Sequence, residues 1–418
     1  MGIDPTTPRK RVRARRPDEP LRITMLSPYH LYPVQHGGAV RMYHVLRELA
    51  RRGHDVSLVG FVDTEEQREA GQHLREFCSD VELLVRKPGV AQGRRLTPGE
   101  VREFDHQELR SVLAGHLERR DVDVLQVEYT HMAPYGRLAR PRLACLTEHD
   151  VAFMSRYRHA AAAPTWPAAM KAYSNYLRMF HYELTALRDF DIVFTMSPRD
   201  AQVLRAYLGS GVQVSDRAPI GADTAGFGAI ERAPAPATLL FVGSFAHAPN
   251  VDAVRWFARE VLPALHRRRP DLRVVIAGPQ PPPDIVRLAN DTRVEVPGFV
   301  ADLKPLYASA TAFIAPIRVV AGVRVKLLEA FAARIPVVST RAAAEGLDVV
   351  HGRELLLAEG ATEFAEQTLR LLGDPALGRA LAAEARRAVE DRYDWSSIAA
   401  AMEDEYRTAL ARCDPRTK

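Results

Sequence analysis

The sequence predicts an α/β protein made of two doubly wound domains, each with a parallel sheet between two layers of helices. Short apolar segments rich in β-branched residues alternate with amphipathic helical segments along the 418 residues, and this alternation is typical of parallel sheets. One hydrophobic core stops growing at about 250–300 residues, so a chain of this length should divide into two domains. Ligands of such sheets bind at the carboxyl ends of the strands, and a cleft between two such domains is the expected site.

The first domain is expected over residues 21–218. Leu21–Ser27 is predicted to be a strand, followed by a loop and by the amphipathic helix Ala39–Arg52. The remaining predicted strands are His54–Phe61, Val124–Val127, Leu143–Glu148 and Ile192–Met196. Val151–Phe190 should form one or two long helices. We assign the aromatic residues of this helical segment to the core, with an acceptor-facing or membrane-facing surface as the open alternative.

The second domain is expected over residues 219–394. Gly, Pro and Ala dominate residues 209–238, which predicts a domain boundary in that segment. The predicted strands that follow are Leu239–Val242, Leu272–Ala277, Val294–Val296, Ala312–Ala315 and Val337–Ser339. The predicted helices are Val251–Arg268, the segments near 284–290, 302–309 and 323–333, and a helical end over Thr362–Leu410.

Charge and composition exclude several classes of protein. The composition, with 47% hydrophobic and 26% charged residues, is typical of globular proteins. The net charge is +5, and part of it lies in residues 1–20, which we expect to be a disordered basic tail without the apolar segment of a secretory signal. The nearly neutral remainder gives no nucleic-acid footprint. No segment is long and apolar enough to span a bilayer. Three widely spaced cysteines fit a reducing compartment. We therefore expect a cytoplasmic protein, with peripheral contact at the inner face of the membrane left open.

Two segments have the features of an anion site. Gly37 and Gly38 precede the first predicted helix, so the backbone can approach a ligand and the free N–H groups of the helix suit a phosphate. By itself this pair of glycines is also explained by an ordinary strand-to-helix turn.

The segment 316–329 is more specific. Gly322 lies at a predicted helix start, where Arg318, Lys326 and a third cation are unfavourable against the helix dipole unless an anion offsets them. Glu329 lies two turns further on the same face, and a carboxylate there suits ribose hydroxyls. A solvated helix with mixed charges is the alternative.

These segments resemble motifs of glycosyltransferase family 4, which has the GT-B fold. The pattern Gly-x-x-x-Lys-x-Leu-Glu-Ala, with Ile-Pro-Val-Val-Ser-Thr and Glu-Gly-Leu after it, is similar to the nucleotide-sugar half of that family. Further similar segments, in chain order, are Ser27–Gly38, Thr147–Asp150, Pro219–Asp223, Phe241–Ser244, Ala277–Pro279 and Pro297–Val300. The resemblance covers about residues 21–410. It implies two Rossmann-like domains facing a central cleft, with the last helix, about 395–412, crossing back to the first domain.

The resemblance also implies a donor substrate, a nucleoside-diphosphate sugar of the UDP or GDP type, with no cofactor and no metal. The implied donor-binding residues are Gly37, Gly38, Ser244, Phe299, Val300, Arg318, Gly322, Val323, Lys326 and Glu329. Among these, Glu329 would bind the ribose diol and Lys326 the phosphates. The implied catalytic residues are His149 and Asp150, with His149 facing the donor sugar.

One position departs from the family pattern. Ala321 stands where the family commonly has a second glutamate that contacts the transferred sugar, which places the chain in a branch without it and leaves the sugar contacts open.

We expect a retaining, metal-independent transfer to a hydroxyl group of a polysaccharide, a glycolipid or a secondary metabolite. The alternatives are a nucleotide-sugar epimerase and a catalytically silent nucleotide-binding or scaffold protein. A metal-dependent transferase of another fold is disfavoured, because Asp121-Val122-Asp123 precedes its strand instead of following it.

Overall fold

The computed structural model describes residues 19–34, 37–87, 97–136, 138, 143–161, 163–319 and 325–412. Gly322 and Val323, Ala321 and nearly all of the basic tail therefore lie outside the described residues. The described chain divides into two compact units. One contains residues up to Pro219 and from Ile398 on, and the other is Ile220–Ser397. The division falls one residue beyond the boundary expected after residue 218.

The first unit contains a sheet of seven parallel strands in the order β3-β2-β1-β4-β5-β6-β7. The strands are β1 Arg22–Ser27, β2 Asp55–Val62, β3 Asp80–Val85, β4 Val124–Glu128, β5 Leu143–Glu148, β6 Ile192–Thr195 and β7 Gln213–Ser215. The central strands are buried on both faces, which explains their nearly continuous apolar sequences. The strand order reverses between β1 and β4, and doubly wound sheets bind ligands at such a switch point.

Seven α-helices cover this sheet, counted over the described residues of the unit before Pro219. They are α1 Gly37–Arg51, α2 Glu65–Ala70, α3 Gly99–Phe104, α4 Gln107–Arg120, α5 Ala152–Ala161, α6 Trp166–Ala186 and α7 Pro198–Leu208. Short 3₁₀ turns lie at Gly71–Glu76, Thr130–Tyr135, Leu187–Asp189 and Gly209–Gly211.

The second unit contains six parallel strands in the order β10-β9-β8-β11-β12-β13, with its switch point between β8 and β11. The strands are β8 Thr238–Val242, β9 Arg273–Ala277, β10 Val294–Gly298, β11 Ala312–Ala315, β12 Val337–Thr340 and β13 Leu356–Ala358. The helices that follow Pro219 are α8 Thr224–Gly228, α9 Ala248–Trp256, α10 Leu262–Arg268, α11 Pro283–Val286, α12 Lys304–Ser309, α13 Val325–Ala332, α14 Arg341–Ala344, α15 Gly360–Gly373, α16 Pro375–Arg392 and α17 Trp395–Arg412. A π-helical turn at Phe257–Val261 joins α9 to α10, and a 3₁₀ turn at Arg287–Asn290 follows α11.

The last helix belongs mainly to the first unit. From Ile398 on, α17 is part of that unit, where the Tyr406 hydroxyl donates a hydrogen bond to Gln126 Oε1 at 2.8 Å. The expectation that the final helix returns to the first domain is therefore confirmed.

All ten predicted strands are present, while β3, β7 and β13 were not predicted. The segment expected as the helix Val251–Arg268 begins earlier, at Ala248, and contains the π-helical turn. The helical segment Val151–Phe190 forms two helices, α5 and α6. Among the described helices, none combines the length and apolarity needed to cross a membrane.

The assignment of the aromatic residues of α5 and α6 to the core is wrong for three of them. Phe153 is buried as expected, but Tyr157, Trp166 and Tyr173 are exposed. Helical spacing places these residues on a common face, but the sheet is covered by the opposite face of α6, which carries the buried residue Met179.

Candidate active site

His149 is held by a buried ion-pair network at the carboxyl edge of the first sheet. The residue follows β5, and its Nε2 donates a hydrogen bond to Glu128 Oε2 at 2.6 Å. Glu128 ends β4, is fully buried and accepts a hydrogen bond from Arg41 Nη1 of α1 at 3.2 Å. Burial lowers the pKa of His149, against an opposing effect of Glu128. The neutral ring therefore donates its Nε2–H to Glu128 and keeps Nδ1 as a hydrogen-bond acceptor.

Tyr129 fixes the imidazole plane. Its ring stacks on that of His149 with centroids 3.7 Å apart and an angle of 7° between the planes. The backbone of Tyr129 has φ of 71°, a left-handed conformation that is strained for a residue with a side chain. Such strain persists where the surrounding structure enforces it, which is common at functional sites.

Asp150 does not join this network. Its carboxylate accepts a hydrogen bond from the Ser155 hydroxyl, and burial raises its pKa. The side chain lines a pocket of about 320 Å³ together with Glu148 and Tyr129. His149 and Asp150, predicted as a pair, therefore have different hydrogen-bond partners.

Gly37 and Gly38 form the first residues of α1, which begins two residues earlier than the predicted start at Ala39. Gly37 is exposed, and a Cβ placed on it would have no neighbour within 4 Å. Packing within the protein therefore does not explain the glycine at position 37.

Glu329 and Lys326 form an ion pair on α13 in the second unit. Lys326 Nζ lies 2.8 Å from both carboxylate oxygens of Glu329. The Tyr307 hydroxyl donates a further hydrogen bond to Glu329 Oε2 at 2.8 Å, and both of these side chains are buried. Burial, with a smaller effect of Glu329, raises the pKa of Tyr307 well above its ordinary value, so the hydroxyl keeps its proton. Sequence reasoning found Glu329 and Lys326 but missed Tyr307.

Arg318 follows β11 and contacts another element of the second unit. Its Nε and Nη2 lie 3.1 and 2.6 Å from the two oxygens of Asp252 on α9. The guanidinium lies 5.6 Å from the ring centroid of Trp256. The cation predicted to bind phosphate is thus held against the middle and the end of α9, and its ion pair with Asp252 is exposed.

Three of the predicted donor-binding residues lie at the carboxyl ends of β8 and β10. Ser244 follows β8, and its carbonyl accepts a hydrogen bond from Asn250 Nδ2 at 2.8 Å. Phe299 and Val300 follow β10; Phe299 is exposed and Val300 is half-buried. A Cβ on Gly278, at the end of β9, would lie 1.9 Å from the carbonyl oxygen of Gly243, so the backbones of these two strand ends pass in close contact.

One group of potential metal ligands occurs among the described residues, and it lies in the first unit. Asp80, Glu82 and His116 place ligand atoms within 4.8 Å of one another. Arg119 lies 2.8 Å from Glu82, and His116 Nδ1 lies 2.7 Å from the same carboxylate. The carboxylates are therefore already compensated within the protein, which is typical of a structural ion-pair network.

Comparison with known proteins defines the class. The family described as Glycosyltransferase Family 4 matches residues 36–221, and the family described as Glycosyl transferases group 1 matches residues 236–374. Together these matches cover more than three quarters of the chain. The two doubly wound sheets are those of a GT-B glycosyltransferase, and the chain belongs to glycosyltransferase family 4.

Individual relatives are distant in sequence and similar in fold. An uncharacterized 44.6 kDa protein in the cps region of Klebsiella pneumoniae is 22% identical over 384 residues, which are 88% of this chain and 95% of that protein. Sucrose-phosphate synthase from Thermosynechococcus elongatus has a TM-score of 0.67 and 18% identity, over 94% of this chain and all of that chain. HepE from Anabaena in complex with UDP has a TM-score of 0.64 and 13% identity, over 92% of this chain and 99% of that chain. At these identities the structures establish the fold.

Proposed function

We propose that this enzyme is a retaining glycosyltransferase that moves a sugar from a nucleoside diphosphate to a hydroxyl acceptor without a metal ion. The observation that carries this proposal is the cluster of Lys326, Glu329 and Tyr307 on and against α13. It combines a cation in the first turn of α13 with a positioned carboxylate three residues further on, in the helix that follows β11 at the switch point of the second sheet.

The donor would bind by exchange of the ion pair. Glu329 already accepts hydrogen bonds from Lys326 and Tyr307, which leaves little of the capacity of a carboxylate for a ribose diol. When a diphosphate binds, Lys326 turns from Glu329 to the phosphate oxygens, and the carboxylate becomes free to accept from the two ribose hydroxyls. Tyr307 keeps the carboxylate in place during this exchange.

The reaction needs stabilisation of the leaving diphosphate. Helix N–H groups and the cations Lys326 and Arg318 stabilise the developing negative charge, as fixed dipoles and cations do in other enzymes. We propose front-face attack, in which the acceptor oxygen bonds to the anomeric carbon as the bond to the diphosphate breaks. The leaving phosphate oxygen takes the proton of the acceptor. His149, which is neutral, accepts a hydrogen bond from a hydroxyl of the donor sugar through Nδ1.

The donor is of the UDP or GDP type, and UDP is favoured because HepE, a protein of the same fold, has been crystallised with UDP and with UDP-glucose. The relative in a cps region supports a role in cell-envelope polysaccharide synthesis. Both assignments rest on similarity, so the experiment must include several nucleotides.

Thermal unfolding with UDP, GDP, ADP and dTDP tests the donor site. A nucleotide at a hundred times its Kd should add about 2.7 kcal/mol to the stability of the wild type, and Glu329→Ala should lose most of this gain. Glu354→Ala is the matched control, because Glu354 is also buried in the second unit and paired with a cation, Arg353 Nε at 2.6 Å. Equal gains in Glu329→Ala and in the wild type would reject the site, and no gain with any nucleotide would favour a silent scaffold protein.

Turnover tests the chemistry separately. His149→Ala should keep the nucleotide-induced stabilisation and lose release of UDP from a UDP-sugar, because His149 contacts only the sugar in this mechanism. Chelation of divalent ions should leave turnover unchanged. An inverted anomer in the product would refute the retaining mechanism, and a free epimerised nucleotide sugar would identify an epimerase.

A further inference from the structure

Helix α6 carries an apolar stripe that faces away from the protein core. The stripe consists of Trp166, Met170, Tyr173 and Leu177, which are 76%, 54%, 38% and 60% exposed. At 3.6 residues per turn these four side chains fall within an arc of roughly 60°, and the buried residues of α6 lie about 110–150° from the centre of that arc. Single exposed apolar residues need no explanation, whereas a contiguous row of four marks an interaction surface.

The charge of the surrounding segment has one sign. Residues 151–182 contain Arg156, Arg158, Lys171 and Arg178 and no Asp or Glu. All four cations are exposed. An exposed helix with aromatic and aliphatic residues on one face and cations beside them has the composition of a helix that lies in the interface of an anionic membrane.

An arginine pocket opens beside this helix. Its volume is about 300 Å³, and Arg102 of α3, Arg156 of α5 and Arg178 of α6 line it. Arg156 is paired with Glu100. Among the described residues neither Arg102 nor Arg178 has an ion-pair partner, and the buried Nε of Arg102 makes no hydrogen bond. Unpaired guanidinium groups that converge on one pocket suit a phosphate, which they bind through charged hydrogen bonds.

The pocket of about 320 Å³ that is lined by Glu148, Asp150 and Tyr129 is called the carboxyl pocket below. It shares part of its wall with the arginine pocket. Both are lined by Glu100, Arg156 and Met179. Since Tyr129 stacks on His149, the carboxyl pocket also borders the candidate catalytic residue.

Two buried polar atoms in the wall of the carboxyl pocket have no hydrogen-bond partner among the described residues. They are Glu148 Oε1 and His131 Nε2. Burial and the neighbouring Glu183 raise the pKa of Glu148, and burial lowers the pKa of His131 to about 3, so burial favours the uncharged form of both groups. Neutral donors and acceptors of this kind suit the hydroxyl groups of a sugar. The volume lies at the lower end of the range of about 300–1,000 Å³ found for ligand pockets, which is appropriate for a single ring.

We propose that the acceptor is a lipid phosphate that carries a sugar. The apolar stripe of α6 docks on the anionic lipid surface, the arginine pocket binds the phosphate, and the carboxyl pocket binds the sugar hydroxyls beside His149. This proposal names the acceptor of the transferase proposed above. It rests on the transferase function where it assigns the carboxyl pocket to the acceptor sugar, whereas the membrane surface and the phosphate site do not depend on it.

Vesicle flotation with the full chain tests the stripe. The wild type should bind vesicles of phosphatidylcholine mixed with phosphatidylglycerol and not vesicles of phosphatidylcholine alone. The double variant Trp166→Ser/Leu177→Ser should weaken binding by about tenfold or more, given the apolar area that each side chain would bury. The matched control is Val286→Ser/Val350→Ser, which removes two exposed apolar side chains of the second unit. Unchanged binding by the stripe variant, or no binding by the wild type, would overturn the docking surface.

A soluble probe tests the two pockets. By ligand-observed NMR, glucose 1-phosphate should bind more tightly than methyl glucoside or inorganic phosphate alone. Arg102→Gln and Arg178→Gln should each weaken it about tenfold, as expected for loss of one charged hydrogen bond, and Arg188→Gln, an exposed arginine outside the pocket, should not. Equal binding of inorganic phosphate and glucose 1-phosphate, or no effect of the two variants, would overturn the assignment. Neither assay uses a nucleotide, so failure of the donor site leaves both results interpretable.

Discussion

Removal of one hydroxyl group, that of Tyr307, tests how the second unit positions Glu329. The hydroxyl donates to Glu329 Oε2 at 2.8 Å, and both side chains are buried. A hydrogen bond to a charged group contributes about 1.5–3 kcal/mol. Without it, in Tyr307→Phe, the carboxylate is held by Lys326 alone and follows the lysine when the lysine turns to a phosphate. We therefore expect nucleotide affinity to fall by about tenfold or more.

The magnitude converts into a measurable stability difference. A nucleotide at a hundred times the wild-type Kd adds about 2.7 kcal/mol to the wild type, and only about 1.4 kcal/mol to a variant that binds tenfold more weakly. In thermal unfolding, the ligand-induced shift of Tyr307→Phe should thus be about half of the wild-type shift. Tyr406→Phe is the matched control, because Tyr406 is equally buried and donates one hydrogen bond of 2.8 Å in the first unit. A full shift in Tyr307→Phe together with a lost shift in Glu329→Ala would refute the positioning role.

Three further predictions concern the architecture around the sites. Arg41→Met leaves the buried carboxylate of Glu128 without its cation. The free energy of unfolding, measured by chemical denaturation, should therefore fall by about 3–5 kcal/mol, and the double variant Arg41→Met/Glu128→Leu should largely restore it. Additive losses in the double variant would contradict this coupling. Burial raises the pKa of Glu183 to about 8, so the stability that its bound proton contributes is present below its ordinary pKa and is lost as the pH rises toward 8. In Glu183→Gln, the melting temperature should therefore decline less as the pH rises. An unchanged dependence of the melting temperature on pH would contradict the raised pKa of Glu183. Gly278→Ala brings a Cβ to 1.9 Å from the carbonyl oxygen of Gly243, so it should lower the melting temperature, and a wild-type value would show that the strand ends can separate.

The fold could be predicted because the buried strands are mainly apolar. β4, β5, β8 and β11 have this pattern, and each was predicted within one or two residues. The three missed strands lie at sheet edges. β7 and β13 have only three residues each, and β3 is half-buried with acidic residues in its sequence, so neither apolar length nor alternation distinguishes them from loops.

The candidate site could be predicted only in part, because motifs identify single residues and not their partners. His149, Lys326 and Glu329 each lie in a short recognisable segment. Glu128 contacts His149 from 21 positions away, and Tyr307 contacts Glu329 from 22 positions away. A signal for Glu128 was present, since an acidic residue that ends a fully buried strand at a switch point needs a buried partner.

The apolar stripe of α6 shows why periodicity alone could not assign a surface. A helix that covers a sheet and a helix that lies on a membrane both repeat apolar residues at intervals of three and four positions. The charge of the flanking residues distinguishes them. In α13 the apolar face is buried, and its lysine is paired with a glutamate of the same helix. In α6 and the helix before it, the four cations are exposed, the acidic residue of α6, Glu183, is buried, and the stripe stays exposed. The absence of acidic residues from 151–182 was therefore the sequence feature that pointed away from a core assignment. Burial of a helix face in the protein does not require the exposed charges around it to have one sign, whereas contact with an anionic membrane favours cations.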